Sequence, residues 1–258
     1  MATIIALTNQ KGGVGKTTTS SALAAGLVSF YDKRVLAIDL DPQGSLGFSL
    51  GLDIEEGRTI SDVLTGQAPV QQAIQLTDYC DVITSNILLS SAEIEFTSSD
   101  RELLLKKALE PVMDDYDYII IDTPPALNIL TVNAYAVSDY LIIPMAPEIL
   151  SLLGVTQLKE TIDSVRVSMN PDLNVLGIIL TKFNQRTLLA REVKEMAENV
   201  AGQMGTRVFQ TQIRTSVTVA EAPAHGLSIF DHAPSAKPSE DYKNFIQEVI
   251  HLTSPKAS

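Results

Sequence analysis

The chain has 258 residues, of which 45% are hydrophobic and 19% charged, a composition typical of a globular domain with a sizeable core. Its formal net charge of −12 argues against a surface evenly suited to nucleic acid, although a local basic patch remains compatible with it. The single cysteine, Cys80, excludes an internal disulfide and a thiolate-rich metal or iron–sulfur site within one chain, and without a signal-like or membrane-spanning apolar run we expect a cytoplasmic protein.

A glycine-rich loop follows the first strand-like run. Thr3–Thr8 is apolar and β-prone, residues 10–18 read QKGGVGKTT, and a helical pattern then continues to about Tyr31. Strand, glycine loop and helix in this order are the context that a phosphate-binding loop requires. Glycines let backbone N–H groups turn toward an anion, and the helix start adds unpaired N–H groups and the positive end of its dipole. From this position Lys16 can reach the β- and γ-phosphates of a nucleotide, and the Thr17 hydroxyl can bind Mg²⁺.

The loop departs from the general pattern G-x-x-x-x-G-K-[ST]. Gln10 stands where the pattern has glycine, and a second lysine, Lys11, precedes the glycine pair. A glycine turn with two solvated lysines is the alternative interpretation, but the flanking strand and helix favour the phosphate loop. K-G-G-x-G-K-T-T resembles the deviant Walker A loop of the ParA/Soj, MinD and nitrogenase-iron-protein group of ATPases. The resemblance implies that Lys11 crosses a dimer interface to the partner's nucleotide. The implied phosphate-binding residues are Lys11, Gly12, Gly13, Val14, Gly15, Lys16, Thr17 and Thr18.

An acidic loop follows the second buried strand, Arg34–Asp39. Residues 39–44 read DLDPQG, in which Pro and Gly indicate a loop. Because ligands sit at the carboxyl ends of strands in such sheets, Asp39 and Asp41 should face the phosphates. Either acid alone would be interpreted as a strand-end cap, but two beside a phosphate loop favour chemistry. The segment resembles the family's switch I, which implies that Asp41 positions or deprotonates the attacking water. Asp39 is implied to work near the metal through water.

A third strand also ends in an acid. Tyr118–Ile121 is a run of large apolar residues, typical of a strand buried on both faces, and Asp122 follows it directly. By position Asp122 is the Walker B acid, which helps to hold Mg²⁺ directly or through a bound water. An isolated aspartate here would be a cap, but the phosphate loop favours the metal role. Residues 123–125 resemble the family's switch II, whose prolines restrict the loop.

Strand-like runs alternate with helical patterns along the chain. This alternation predicts an α/β fold with a doubly wound, mainly parallel sheet flanked by helices, and the resemblance of the loop implies a P-loop NTPase of the deviant Walker A type. We expect one P-loop ATPase domain over residues 1–258, without the N-terminal helix-turn-helix domain of longer ParA proteins. The other expected elements are helices near Ile60–Thr65, Val70–Gln75, Leu88–Phe96, 100–113, 151–168, 187–200 and 239–252, strands near Asp81–Thr84, Tyr140–Pro144 and Val175–Thr181, and a frayed tail from Thr253.

The resemblance implies two further binding regions late in the chain. The adenine base would be held after the strands that end near Thr181 and Ile213, by Lys182, Phe183 and Arg214. Residues 220–226 read AEAPAHG and resemble the S-E-A-P-S-H-G segment of the partition branch. Arg186 matches a DNA-binding arginine of the family, whereas Thr218 stands where a second arginine is expected. The candidate DNA contacts are Lys182, Arg186, Arg191 and Arg214, and an ordinary solvated face is the alternative for any one of them.

The resemblance extends from Ile4 to about Val249 and implies a ParA/Soj-like ATPase for plasmid or chromosome partition. In the implied cycle, ATP and Mg²⁺ form a homodimer that binds DNA non-specifically, and a ParB-like centromere-binding protein stimulates hydrolysis to ADP and phosphate. The implied chemistry is in-line attack by water oriented by Asp41, with charge stabilised by Lys11, Lys16 and Mg²⁺. The dimer would be cytoplasmic and associated with the nucleoid when ATP is bound.

Two other functions compete with partition. One is a nucleotide-dependent localisation or scaffold ATPase, which would position a protein complex rather than DNA. The other, electron transfer by an iron-protein-like ATPase, is opposed by the single cysteine, because a cluster shared by a dimer needs two from each chain. A MinD-like membrane role is disfavoured, since the polar face of the last helix is not rich in lysine and arginine.

Overall fold

In the computed structural model, which describes residues 1–53, 57–96 and 99–254, eight strands form one sheet in the order β3-β4-β2-β5-β1-β6-β7-β8. For 93–95 and 149–156 only the course of the backbone is described. The strands are β1 Thr3–Leu7, β2 Val35–Asp39, β3 Ile74–Leu76, β4 Asp81–Ile83, β5 Tyr118–Asp122, β6 Tyr140–Met145, β7 Asn174–Phe183 and β8 Val208–Arg214. β3 pairs with β4 antiparallel, and the remaining neighbours are parallel. The predicted fold class is confirmed.

Helices cover both faces of this sheet. They are α1 Lys16–Tyr31, α2 Ser45–Ser49, α3 Ile60–Leu64, α4 Val70–Ala73, α5 Leu88–Glu95, α6 Leu104–Leu109, α7 Ile129–Val137, α8 Ile149–Ser168, α9 Leu188–Gln203, α10 Val217–Glu221, α11 Ile229–His232 and α12 Lys237–Thr253. α1, α2, α11 and α12 share a hydrophobic core with one face, whereas α3 and α5–α9 pack on the other. Among the described helices, none combines the length and apolar character that crossing a bilayer requires. The tail beyond Ser254 lies outside the described residues.

The central strands are apolar on both sides because each side supports a layer of helices. Successive side chains of a strand point to opposite faces. Ile119 and Ile121 therefore enter one core, Ile120 enters the other, and all three are fully buried. Each such side chain contributes roughly 1.5–3 kcal/mol relative to full exposure.

Some predicted elements need correction. The helix predicted over Val70–Gln75 ends at Ala73, and Ile74–Leu76 forms the antiparallel edge strand β3. A three-residue strand is too short to show an alternating pattern. The helix predicted over 100–113 is a 3-10 turn, Arg101–Leu103, followed by the short α6.

Helix α7 is absent from the sequence-based prediction. Seven of its nine residues are buried, so it has no polar face to reveal a helical period. Its start is marked by Asn128, whose side chain accepts a hydrogen bond from the Thr131 N–H at 3.2 Å. An N-cap of this kind is a local signal that could have located the helix.

The sheet brings the three functional strand ends to one edge. β1 and β2 both pair with β5 in parallel, and the register places Leu7 and Asp39 on either side of Asp122. The loop after β1 and the acidic loop after β2 therefore open at the same edge as Asp122, as expected for ligands at the carboxyl ends of parallel strands.

Two backbone segments meet closely beyond α2. Gly51 has φ 83° and Gly226, which ends the 3-10 turn Ala222–His225, has φ 63°; both values lie in the left-handed region that glycine tolerates. A Cβ added to Gly51 would lie 3.0 Å from the Gly226 carbonyl oxygen, and one added to Gly226 would lie 2.8 Å from the Gly51 Cα. The AEAPAHG segment is therefore packed by its backbone against the end of α2.

Candidate functional site

The loop between β1 and α1 forms an open cradle. Gly13 and Gly15 have φ of 74° and 85°, which place the backbone in the left-handed region. Gly15 is the N-cap of α1 and provides no side-chain cap, so the first N–H groups of the helix are available to an anion. Apart from the adjoining residues, no atom of the described chain lies within 4 Å of the Cβ position at Gly12 or Gly13. The loop thus offers N–H groups and space together.

Buried side chains hold the cradle to the neighbouring strands. The Asn9 amide donates from Nδ2 to the Pro144 carbonyl on β6 at 2.8 Å, and its Oδ1 accepts from the Lys11 N–H at 3.0 Å. The Thr181 hydroxyl on β7 donates to the Val14 carbonyl at 2.7 Å. Asn9 and Thr181 are 1% and 3% exposed. The sequence analysis assigned neither residue to the loop, because these bonds join positions 135 and 167 residues apart.

Asp122 lies at the centre of the site and is fully buried. Its Oδ2 accepts from the Thr17 hydroxyl at 2.6 Å, and its Oδ1 accepts from the Ser20 hydroxyl at 3.0 Å. Burial raises the pKa of Asp122 to about 6, although those hydrogen bonds and the charge of Lys16 lower it. The structure thus brings together Thr17 and Asp122, two of the three predicted metal-site residues, and adds Ser20, which the sequence analysis missed.

Lys16 is 6% exposed and its ammonium donates to the Lys11 carbonyl at 3.3 Å. Burial lowers the pKa of Lys16, while the charges of Asp122 and Asp41 raise it. A buried ammonium that faces two carboxylates and the cradle is suited to neutralising a phosphate. Lys16 and Asp41, two of the predicted catalytic residues, therefore lie within electrostatic reach of each other.

Asp39 shapes the acidic loop. Its carboxylate is fully buried and accepts hydrogen bonds from the N–H groups of Asp41 at 2.9 Å and Leu46 at 2.8 Å. Burial and the Asp122 charge raise the pKa of Asp39 well above its ordinary value. Both oxygens of Asp39 are thus engaged by backbone, and its implied action near a metal through water stays a prediction. Asp41 is partly exposed and accepts from the Gln43 N–H at 3.0 Å, so its carboxylate keeps acceptor capacity for a water.

Lys11 forms an ion pair inside its own protomer. Its ammonium contacts the Glu148 carboxylate, which lies at the N-terminus of α8. The two side chains are 28% and 55% exposed, respectively. The Lys11 side chain therefore reaches the N-terminus of α8.

The residues expected to contact a base or DNA fall into three environments. Phe183 is buried in the core, so only its backbone is available to a ligand, whereas Lys182 is exposed and has φ 49°. Arg214 is engaged by Asp241 of α12 through a pair of hydrogen bonds at 2.6 and 2.8 Å. Arg186 and Arg191 are exposed at the start of α9. Phe183, Arg186 and Arg214 line one groove of about 1460 Å³.

The oxygens at the site fit Mg²⁺. Thr17 and Asp122 supply a hydroxyl and a carboxylate, which are hard ligands, and Mg²⁺ in nucleotide sites takes few protein ligands beside phosphates and waters. Across the described parts of the chain, no group of three or more His, Cys, Asp or Glu side chains is placed to hold a metal ion.

Fold and site together define a P-loop nucleotide-binding protein. A family model described as an AAA domain matches residues 2–175. The chain is 42% identical over 255 residues to the sporulation initiation inhibitor protein Soj of Bacillus subtilis, covering 96% of this chain and 98% of that protein. It is 40% identical over 258 residues to the chromosome partitioning protein ParA of Myxococcus xanthus, covering 98% and 90%. The chain therefore belongs to the ParA/Soj family of partitioning ATPases, which confirms the resemblance.

Solved structures share this fold. Cobyrinic acid a,c-diamide synthase from Mycobacterium smegmatis, crystallised with ADP and magnesium, matches with a TM-score of 0.85 and 34% identity over 98% of this chain and 96% of that one. A complex of a Cyanothece McdA variant with ATP matches with a TM-score of 0.87 and 23% identity, over 98% of each chain, which supports the fold alone.

Proposed function

We propose that this chain binds and hydrolyses Mg²⁺·ATP to drive the partition of a plasmid or chromosome. The observation that carries the proposal is the cluster of buried Lys16 and Asp122 with the half-buried Thr17, beside a glycine cradle. Family membership supports it, as do the ADP and magnesium in the related synthase structure.

Each group at the site has a role in this proposal. The N–H groups of residues 11–18 and the Lys16 ammonium bind the phosphates of ATP. Thr17 and Asp122 would hold Mg²⁺, which neutralises phosphate charge when bound. Asp41 orients the attacking water, because its carboxylate is partly exposed and lies near Lys16. Asp39 acts indirectly, by holding the backbone of Asp41 in place.

Pairing of two protomers requires Lys11 to change partner. In the single protomer its ammonium contacts Glu148. We propose that ATP-driven dimerisation breaks this contact and moves Lys11 to the phosphates of the facing protomer. A half-exposed ion pair is weak enough for a phosphate to replace it.

The dimer is proposed to bind DNA non-specifically, to associate with the nucleoid in the cytoplasm, and to release DNA when a ParB-like partner stimulates hydrolysis. Arg186, Arg191 and Lys182 are the exposed candidates for DNA contact. Arg214 would contribute less, since Asp241 already neutralises it. This loss, with Thr218 at the second arginine position and the net charge of −12, favours a second candidate: an ATPase that positions a protein complex.

The decisive experiment compares wild type with Lys11→Ala. We expect wild type to dimerise with a non-hydrolysable ATP analogue, to hydrolyse ATP and to shift the gel mobility of duplex DNA only with ATP. We expect Lys11→Ala to lose both the dimerisation and the mobility shift. Lys106→Ala, at an exposed lysine of α6, is the matched control and should resemble wild type. Pairing that survives in Lys11→Ala would refute the proposed role of Lys11. Dimerisation without any DNA shift would favour the scaffold alternative.

A further inference from the structure

Two hydroxyls of α1 hold the two oxygens of Asp122. Thr17 and Ser20 are three residues apart, so they lie on the same face of the helix. The Thr17 hydroxyl donates to Oδ2 at 2.6 Å and the Ser20 hydroxyl to Oδ1 at 3.0 Å. Ser20 and Asp122 are fully buried, so water does not compete for the bond between them. The plane of the carboxylate is therefore set by both hydroxyls together.

A second acceptor lies within reach of the Ser20 hydroxyl, so the two acceptors compete for its single proton. The Lys16 carbonyl lies 3.1 Å from the Ser20 oxygen. A hydrogen bond to an ionised carboxylate is roughly twice as strong as one to a neutral acceptor. The bond to Asp122 therefore prevails whenever the carboxylate is charged, the state in which it can bind a cation.

We propose that Ser20 is a positioning residue for the metal, because its hydroxyl holds Oδ1 of Asp122 while the Thr17 hydroxyl holds Oδ2. This inference rests on the proposed function. Outer partners of metal-binding groups commonly change metal affinity about 10- to 100-fold when they are removed. In Ser20→Ala, Oδ1 would be buried without its side-chain donor, and the carboxylate could rotate away from Thr17.

The chain offers a matched control on the same helix. The hydroxyl of Ser21 bonds only the Thr18 carbonyl, at 3.1 Å, among the recorded hydrogen bonds of the described residues. Ser21→Ala thus removes the same group one position along without touching Asp122. Ser20→Cys is a second test variant, because a thiol of similar size fills the buried space but donates weakly.

The test is ADP binding by the full chain, followed calorimetrically over a series of free Mg²⁺ concentrations and in EDTA, with folding of each variant checked by circular dichroism. We expect Ser20→Ala to need about tenfold more Mg²⁺ for half of the Mg²⁺-dependent gain in ADP affinity, with unchanged affinity in EDTA. Ser20→Cys should lie between Ser20→Ala and wild type, and Ser21→Ala should match wild type.

The outcomes separate the two proposals. A wild-type Mg²⁺ requirement in Ser20→Ala, or an equal loss of ADP affinity in EDTA, would overturn the role of Ser20 and leave the proposed function standing. If Ser20→Ala does not fold, the Ser20→Cys result decides, and a wild-type requirement there counts against the inference. If wild type binds no ADP in either condition, the proposed function itself fails.

Discussion

Replacing Glu148 by Gln should make ATP-dependent pairing easier. In each protomer the Glu148 carboxylate holds the Lys11 ammonium, and pairing must break two such contacts for each dimer formed. The side chains are 55% and 28% exposed, so each contact is worth only about 0.2–1 kcal/mol. Removing both should favour the dimer by about 0.4–2 kcal/mol, or roughly 2- to 30-fold in the dimerisation constant.

Sedimentation equilibrium with a non-hydrolysable ATP analogue measures this effect directly. The gain in Glu148→Gln should shrink between about 0.05 and 0.5 M salt, because screening weakens the ion pair of the wild type. Glu160→Gln removes the same charge from an exposed position of α8 and should leave the dimerisation constant unchanged. Weaker pairing in Glu148→Gln would show that Glu148 assists the dimer rather than competing with it, and the reasoning would be wrong.

Three further predictions concern the stability of the fold and the groove lined by Arg186 and Arg214. In Gly26→Ala the new methyl would overlap a side chain of α12, so thermal unfolding should show a free energy of unfolding lower by about 1–3 kcal/mol. In Gly202→Ala the new methyl lies in open space on α9, and the free energy of unfolding should rise by about 0.5 kcal/mol. Burial raises the pKa of Asp62, but hydrogen bonds from its capping box and from an arginine outweigh this and leave the pKa lowered. Asp62→Ala should therefore cost about 1 kcal/mol at pH 7 in denaturant titrations, and the difference from wild type should vanish as the pH falls below about 4. Arg214→Ala should reduce the free energy of unfolding by about 1.5–3 kcal/mol and affect DNA binding less than Arg186→Ala, which should weaken DNA binding alone; equal melting temperatures for the two variants would contradict this assignment.

Local patterns predicted the centre of the molecule well. The order of β1, glycine loop and α1 lies within about thirty consecutive residues, and Asp122 follows directly on a four-residue apolar run. Both signals depend only on residues that are neighbours in the sequence, so they could be recognised without knowing how the chain packs. Asp39, the acid that ends β2, was located for the same reason, although its bonds to the backbone were not foreseen.

The supports of the site escaped prediction because they depend on distant pairs. Asn9 bonds β6, Thr181 bonds the loop, and Glu148 contacts Lys11, each more than a hundred residues away in sequence. Ser20 is close to the glycine loop in sequence, but it is one of five consecutive hydroxyl residues in α1. Only its hydrogen bond to the buried Asp122 carboxylate distinguishes it from Ser21. The edge strand β3 was missed because three residues carry too little pattern.

The contact between Gly51 and Gly226 joins two segments that are far apart in the sequence, and it is made by backbone atoms alone. Asp39 holds the Leu46 N–H at the start of α2, and α2 ends against the turn that carries the AEAPAHG segment. Because no side chain lies between the two backbones, α2 and the AEAPAHG segment cannot move closer together. The position of that segment is therefore tied to the acidic loop that precedes α2, although about 180 residues separate them along the chain.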